Sequence, residues 1–228
     1  MIVPDIIIAI DGFSSTGKSS FAKLVAKKFD FTYLDSGALY RGVTLFAQEN
    51  GFIDAADVIS DSLKDALRGL ELHFGAEGKL FTGDRCIEKE IRSLAVSDQV
   101  SPVAAVPYVR AWVDEKLHAF GEQGRVVMDG RDIGTAVFPN AQLKIFMTAR
   151  EEVRAQRRYD EMVSKGETPT MEEIAANLRE RDYTDSHRET NPLRQAEDAF
   201  VMDNSDMTFG EELVWIQGVI QGKFGILC

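Results

Sequence analysis

Gly12-Phe13-Ser14-Ser15-Thr16-Gly17-Lys18-Ser19 is the stretch of sequence that decides the fold. It matches the pattern G-x-x-x-x-G-K-[ST] at every fixed position. Residues 6–10 before it are apolar and β-branched, which is typical of a strand buried on both faces. Residues 19–29 behind it carry apolar side chains at helical spacing. A glycine-rich loop between such a strand and helix directs backbone N–H groups and the positive end of the helix dipole at phosphate oxygens.

This phosphate-binding loop (P-loop) predicts a site for ATP with Mg²⁺. The loop residues expected to contact the nucleotide are Gly12, Phe13, Ser14, Ser15, Thr16, Gly17, Lys18, Ser19 and Ser20. Lys18 is placed to reach the β- and γ-phosphates, and the hydroxyl of Ser19 is placed to bind Mg²⁺, with Ser20 as the alternative ligand. The alternative without a functional role is a glycine-rich turn that begins a helix. A P-loop alone does not distinguish a kinase from a nucleotide switch.

Strand and helix patterns alternate along most of the chain. Further strands are predicted at residues 31–34, 126–129, 143–147 and 200–202, and helices at 38–49, 109–120, 151–164, 171–181 and 209–220. This order predicts an α/β fold with a parallel sheet flanked by helices. Residues 70–74, 79–82 and 86–87 instead alternate apolar with polar side chains. They predict a small antiparallel meander inserted in the α/β domain.

Composition restricts the partners of the protein. The 228 residues carry a formal net charge of −11, which argues against nucleic acid and anionic membrane surfaces as partners. The N-terminus has no basic segment followed by an apolar one, and no apolar run approaches the length of a membrane span. We expect a single-domain protein of the cytoplasm. Several arginines cluster in the second half of the chain, as expected for a cleft that binds a small phosphorylated ligand.

Longer segments resemble one family. Residues 33–41 (Y-L-D-S-G-A-L-Y-R), residues 126–135 (V-V-M-D-G-R-D-I-G-T) with V-F-P at 137–139, and residues 101–110 (S-P-V-A-A-V-P-Y-V-R) are similar to segments of cytidylate kinases. Arg181-Asp182, Asp185 and Arg188 resemble the R-D…D…R pattern near the end of that family. The P-loop departs from the usual family sequence G-P-S-G-A-G-K-G at Phe13, Ser15, Thr16 and Ser19, and Ser19 restores the general P-loop hydroxyl.

The resemblance implies transfer of the γ-phosphoryl group of ATP to CMP or dCMP, in pyrimidine nucleotide metabolism, by a monomer. It implies a P-loop kinase fold with a core of about residues 1–62 and 96–228, an acceptor-binding insert of about 63–95 and a lid of about 150–168. It implies ribose contacts from Arg181 and Asp185, and contacts to the base and neighbouring groups from Ser36, Ser101, Arg110 and Asp132.

Other roles follow from side-chain chemistry within these segments. Arg41, Arg131 and Arg188 are candidates to clamp the acceptor phosphate, because a planar guanidinium binds phosphate through two hydrogen bonds. Arg157 and Arg158 are candidates to reach the transferring phosphoryl group. Asp129 ends a predicted strand and is a candidate anchor for Mg²⁺ through water. The alternatives without a functional role are surface salt bridges for the three clamp arginines, a solvated helix face for Arg157 and Arg158, and a turn carboxylate for Asp129.

Two other functions stay open at this point. A P-loop kinase for UMP or AMP would share the loop, although adenylate-type kinases lack the D-G-R-D-x-G-T segment. A nucleotide switch that hydrolyses slowly would carry a water-positioning glutamine or a guanine-reading motif such as N-K-x-D. We find neither in the sequence.

Overall fold

The computed structural model describes residues 3–54, 58–75, 78–122 and 124–226. The strands are β1 (Ile7–Gly12), β2 (Thr32–Asp35), β3 (Leu72–Phe74), β4 (Leu80–Thr82), β5 (Arg85–Cys86), β6 (Val126–Gly130), β7 (Leu143–Thr148) and β8 (Phe200–Asp203). The α-helices are α1 (Lys18–Phe29), α2 (Ser36–Glu49), α3 (Leu63–Ala66), α4 (Leu94–Ala105), α5 (Pro107–Gly121), α6 (Glu151–Ser164), α7 (Met171–His187) and α8 (Phe209–Phe224). A π-helical turn spans Ile133–Val137.

The chain forms two compact units, Met1–Tyr33 with Gln123–Cys228, and Leu34–Glu122. A five-stranded sheet lies in the first unit, with the strand order β2-β6-β1-β7-β8. Only the first two residues of β2, Thr32 and Tyr33, belong to this unit. β1 pairs in parallel with β6 and β7, and β7 pairs in parallel with β8. The predicted P-loop kinase fold with a parallel sheet is therefore confirmed.

Helices α1 and α8 cover one face of the central strand of this sheet. Ile8 and Ile10 of β1 are completely buried. They share one apolar cluster with residues of α1 and α8, among them Phe21, Val25 and Ile216. The P-loop begins at the carboxyl end of β1, which is the edge of an α/β sheet where ligands bind.

The second unit contains the predicted antiparallel meander. β3, β4 and β5 form a separate three-stranded sheet, with His73 opposite Phe81 and Thr82 opposite Arg85. Helix α2 approaches this sheet closely at Gly42, where a Cβ atom would meet Leu72 at 2.7 Å and Leu80 at 2.9 Å. The meander is confirmed, whereas the limits proposed for the whole insert, about 63–95, stay a prediction.

Helix α4 was missed by the sequence interpretation. It contains Pro102 and ends at Ala105, directly before the Pro107 that begins α5. Two prolines within six residues are typical of a loop. Pro102 comes in the third turn of α4, so the N–H groups of the turns before it are still available for hydrogen bonds. Ser93 begins α4 by accepting a hydrogen bond from the N–H of Val96. The helices predicted at 171–181 and 209–220 are also longer than expected.

Among the helices of the described residues, none combines the length and apolar character needed to cross a membrane.

Gly12 is the position where the fold constrains the P-loop most tightly. Its φ is 153°, and a Cβ atom there would lie 2.1 Å from the carbonyl oxygen of Met147 on the neighbouring strand. We expect Gly12→Ala to lower the free energy of unfolding by about 2 kcal/mol or more, because the clash is with backbone and neither strand moves cheaply. Urea denaturation measures the change.

Gly218→Ala is the matched control. Gly218 lies within α8, and nothing lies within 4 Å of a Cβ atom built there. Alanine at this position should raise stability by up to about 1 kcal/mol through helix propensity alone. Equal effects of the two substitutions would contradict the tight approach of β1 to β7.

Candidate active site

The P-loop closes around its own lysine. Ser15 and Gly17 have positive φ values of 57° and 89°, and α1 begins immediately after Gly17. Backbone in this conformation forms a concave run of N–H groups that suits an anion. The side chain of Lys18 donates to the carbonyl oxygen of Phe13 at 2.5 Å. The loop therefore holds the ammonium at its centre, beside the N–H groups.

The charge of Lys18 is costly in this position. Only 5% of the residue is exposed. Burial, and then the nearby guanidinium of Arg131, lower the pKa of Lys18 well below its usual value, although Asp129 and Asp11 act in the opposite direction. A triphosphate in the loop would favour the charged ammonium, because an anion at close range offsets the cost of desolvation.

Ser19 and Asp129 lie together and could supply oxygen ligands to a metal ion. The Ser19 hydroxyl donates to Asp129 Oδ2 at 2.8 Å, and the Tyr33 hydroxyl donates to Oδ1 at 2.8 Å. Ser20, the alternative ligand, is exposed to solvent. Among the described residues no group of three or more His, Cys, Asp or Glu side chains is placed to hold a metal ion. One carboxylate and one hydroxyl fit Mg²⁺, which keeps several waters and takes its other ligands from phosphates.

Two arginine–aspartate pairs lie beside the P-loop in the same unit. Arg131 donates through Nε to Asp185 at 2.7 Å and through Nη2 to Ser14 Oγ at 3.0 Å. Arg188 donates through Nη2 to Asp132 Oδ1 at 3.0 Å. Burial acts to raise the pKa of Asp185, but Arg131 and Arg188 hold it below its usual value. The Asp185 carboxylate therefore stays ionised, and the hydrogen bonds to Asp185 and Asp132 fix the two guanidinium groups.

Sequence comparison identifies the family of the chain. The family model described as "Cytidylate kinase" matches residues 8–220. The chain belongs to the cytidylate kinase family. It is 45% identical to the cytidylate kinase of Bacteroides thetaiotaomicron, over 92% of this chain and 94% of that protein. It is 48% identical to the cytidylate kinase of Flavobacterium johnsoniae, over 91% of this chain and 92% of that protein.

A solved structure shares the fold at low sequence identity. The crystal structure of an uncharacterized protein from Eubacterium ventriosum superposes with a TM-score of 0.51 and 12% identity, covering 96% of this chain and 99% of that one. A likeness at this level of identity concerns the fold alone.

Four residues that the cytidylate kinase resemblance assigns to the acceptor lie in the second unit. Ser36 is buried as the first residue of α2. The side chain of Asp35 caps this helix at the N–H of Ala38 and also accepts from Arg41 at 2.9 Å and from Arg92 at 2.8 Å. The sequence interpretation did not assign a role to Arg92, which lies within the insert expected at about 63–95.

Arg110 and Ser101 complete this group. Arg110 is 1% exposed; it donates to the carbonyl oxygen of Ala104 at 3.2 Å and lies 5.4 Å from the centre of the Tyr40 ring. Ser101 lies on α4 and is half-buried. A buried guanidinium is costly unless it binds polar partners, so Arg110 suits a role in recognition.

The arginines of α6 contact the P-loop or their own helix. Arg157 donates to the carbonyl oxygen of Thr16 at 3.2 Å and to both oxygens of Asn204, at 3.0 and 2.9 Å. Arg158 pairs with Glu161 one turn away. Their proposed contact with the transferring phosphoryl group stays a prediction, as does the lid at about 150–168. Arg181 is half-buried on α7 near Asp185, whose charge it helps to stabilise.

Arg154 and Asp182 form a contact that the sequence interpretation did not assign. Arg154 donates to the carbonyl oxygen of Ser14 at 3.2 Å, and the N–H of Ser14 donates to Asp182 at 3.2 Å. The two side chains also pair with each other at 2.5 Å. Helices α6 and α7 therefore bind the tip of the P-loop from one side.

Asp11 and Asn204 were also missed. Asp11 precedes the P-loop, and burial raises its pKa to about 7, although backbone hydrogen bonds from Gly134 and Ile133 act to lower it. Asn204 donates to Thr16 O at 2.9 Å and to Glu212 at 2.7 Å. Asp11 binds N–H groups that are 122 and 123 residues away, and Asn204 binds a carbonyl oxygen that is 188 residues away. No local sequence pattern shows contacts of this kind.

Glu212 gives this network a pH dependence. It is 2% exposed, and burial raises its pKa although Asn204 and Arg157 act to lower it. The folded protein therefore binds the proton more tightly than the unfolded chain. The resulting stabilisation is complete below the ordinary value of 4.5 and is lost as the pH rises through the raised pKa.

We therefore expect Glu212→Gln to gain stability relative to the wild type as the pH rises above 4.5, because glutamine does not ionise. Urea denaturation at a series of pH values measures the difference. Glu211→Gln is the control: Glu211 caps the exposed start of α8 and has a lowered pKa, so the two variants should diverge from the wild type in opposite directions. A constant difference for Glu212→Gln would contradict its raised pKa.

Proposed function

We propose that this protein transfers the γ-phosphoryl group of ATP to CMP or dCMP, giving ADP and CDP or dCDP. The observation that carries the proposal is the position of Arg131. Its guanidinium bonds the P-loop at Ser14 Oγ and the α7 residue Asp185, so one cation lies between the loop for the donor and the segment assigned to the acceptor. Membership of the cytidylate kinase family supports the same reaction.

The reaction needs alignment and charge neutralisation rather than a covalent nucleophile. The acceptor is already a phosphate oxyanion, so no general base has to remove a proton from it. Lys18 neutralises charge on the β- and γ-phosphates of ATP, while Arg41, Arg131 and Arg188 hold the acceptor phosphate. Arg157 and Arg158 stabilise the transferring group. Each of these roles is a proposal for this chain.

Ser19 and Asp129 would hold Mg²⁺ in the loaded enzyme. The oxygen pair already lies together at 2.8 Å. When bound, the ion neutralises charge that develops between the β- and γ-phosphates. Tyr33 orients the carboxylate of Asp129 through the second oxygen.

The nucleoside has two groups of candidate residues. We assign the ribose to Arg181 and Asp185, and the base and neighbouring groups to Ser36, Ser101, Arg110 and Asp132. Cytosine presents an amino donor beside a ring-nitrogen acceptor, and uracil reverses both. A carboxylate accepts from the amino group and a guanidinium donates to the ring nitrogen and carbonyl. This assignment favours cytosine over uracil.

We propose that the enzyme acts as a monomer in the cytoplasm, with the insert at about 63–95 and the lid at about 150–168 closing over the substrates to exclude water. No observation favours a slow nucleotide switch, and a kinase specific for AMP or UMP is the alternative that the assays below exclude or establish.

Lys18→Ala should lower kcat by about a hundredfold or more, because the ammonium stabilises charge that shifts in the transition state. ADP release in a coupled assay with ATP and CMP measures kcat, and circular dichroism checks the fold. Lys27→Ala, in the last turn of the same helix, is the control and should keep wild-type activity. Near-normal turnover by Lys18→Ala would contradict the assigned role of the P-loop.

The wild-type enzyme should phosphorylate CMP and dCMP far better than UMP or AMP, because buried polar groups left without partners penalise the wrong base by factors up to about 10⁴. Asp132→Ala should lower the ratio of kcat/KM for CMP to that for UMP more than it changes the KM of ATP. The same coupled assay with a panel of nucleoside monophosphates gives both quantities. If the ratio is unchanged, Asp132 does not read the base, although the enzyme can still be a kinase.

A further inference from the structure

Asp11 is a buried acid that the proposed mechanism does not use. It is the next-to-last residue of β1 and only 4% exposed. Its Oδ1 accepts the N–H of Ile133 at 2.8 Å, and its Oδ2 accepts the N–H of Gly134 at 2.7 Å. Both carboxylate oxygens are thus bound by the backbone of one turn that is 122 and 123 residues away in the chain.

These two N–H groups begin the helical turn Ile133–Val137. The first N–H groups of a helix have no partner within it, and the side chain of the preceding residue usually binds them. The preceding residue here is Asp132, an ordinary capping type, yet its side chain makes no capping hydrogen bond. It accepts from Arg188 instead, at 3.0 Å. Asp11 therefore supplies from another strand the cap that Asp132 does not.

The position of Asp11 on the sheet makes this cap rigid. Asp11 lies opposite Gly130 in the parallel pairing of β1 with β6. The segment from Gly130 to Gly134 is therefore held at one end by the sheet and at the other by the Asp11 carboxylate. Arg131 and Asp132, the two side chains assigned to the acceptor, lie between these two attachments.

We propose that Asp11 is a positioning residue for the acceptor nucleotide: by capping the turn at Ile133 and Gly134 it leaves the Asp132 carboxylate for Arg188 and the base. The inference deepens the proposed function and rests on the roles given there to Arg131 and Asp132. Asp11 acts through these residues and does not touch the substrate, because it is only 4% exposed and faces the backbone of the turn.

Asp11→Asn tests the inference with an almost identical shape. The amide nitrogen of asparagine is a donor, so it would face one of the two N–H groups, donor against donor. We expect Asp132 to turn back to cap its own helix. The KM of CMP should rise about tenfold or more, the CMP/UMP ratio of kcat/KM should fall by about tenfold or more, and the KM of ATP should change by less than about twofold.

Glu212→Gln is the control for the loss of a buried carboxylate. Glu212 is 2% exposed but lies on α8, bonded to Asn204. It should leave the CMP/UMP ratio unchanged, so a ratio that falls in both variants would point to general loosening and overturn the inference. A change in ratio is the decisive quantity, because loss of stability alone lowers activity toward both substrates equally.

A second variant tests the contact from the other side. A Cβ atom at Gly134 would lie 3.3 Å from Asp11 Oδ2 and 3.1 Å from Lys144 Cδ. Gly134→Ala therefore keeps the carboxylate but crowds it, and we expect a smaller fall in the same ratio. If Asp11→Asn does not fold, this variant decides: an unchanged ratio overturns the inference.

Asp132→Ala separates this inference from the proposed function. If Asp132→Ala lowers the CMP/UMP ratio and Asp11→Asn does not, Asp11 is a structural residue only and the proposed site stands. If neither variant changes the ratio, the role of Asp132 in reading the base is wrong and the inference falls with it. If both variants lower the ratio, and Gly134→Ala follows, the inference is supported.

Discussion

Three arginines beside the P-loop or the D-G-R-D segment are each held by a carboxylate of the same unit, and the geometry of the site depends on these pairs. Arg131 binds Asp185, Arg188 binds Asp132 and Arg154 binds Asp182. Neighbouring guanidinium groups repel one another, and a partly buried guanidinium loses hydration. The carboxylates offset both costs and hold the planar guanidinium groups in defined orientations before any phosphate arrives.

The same pairs connect the elements of the first unit. Asp182 and Asp185 lie on one helix, α7; the first bonds the P-loop at Ser14 and the second bonds Arg131. Arg188, the residue that follows this helix, bonds Asp132. A displacement of α7 would therefore be felt both at the loop for the donor and at the segment for the acceptor. Chemistry that depends on alignment benefits from such shared support.

Local sequence patterns were sufficient for most of the fold. The P-loop follows from fixed positions within eight residues, and the buried strands follow from their apolar composition. Helix α4 was missed because proline, here Pro102 and Pro107, is a residue type that favours loops. Pro102 removes one backbone N–H from the helix, and α4 forms in spite of this cost. The antiparallel meander was recognised by its alternation even though its strands are only two or three residues long.

The candidate site was predictable only where a motif names the residue. Lys18, Ser19 and Asp129 were found because their segments have recognisable sequences, and the structure places the latter two in contact. Asp11 and Asn204 carry no such signal, and for Arg154 the sequence predicted only a place in the lid, not its contact with the P-loop. Each acts on a group more than a hundred residues away, the carbonyl oxygens of Ser14 and Thr16 or the N–H groups of a distant turn. Such contacts arise when the chain folds, and a single sequence does not record them.

The hydrogen bond from Tyr33 to Asp129 makes the site visible by optical spectroscopy. The phenol donates at 2.8 Å to a carboxylate whose other oxygen faces Ser19. The ultraviolet absorption of a phenol responds to the charge of the group that accepts its proton. Any cation that draws charge from Asp129 therefore changes the absorption of Tyr33, so occupancy of the site can be followed by difference spectra without a label or a turnover assay.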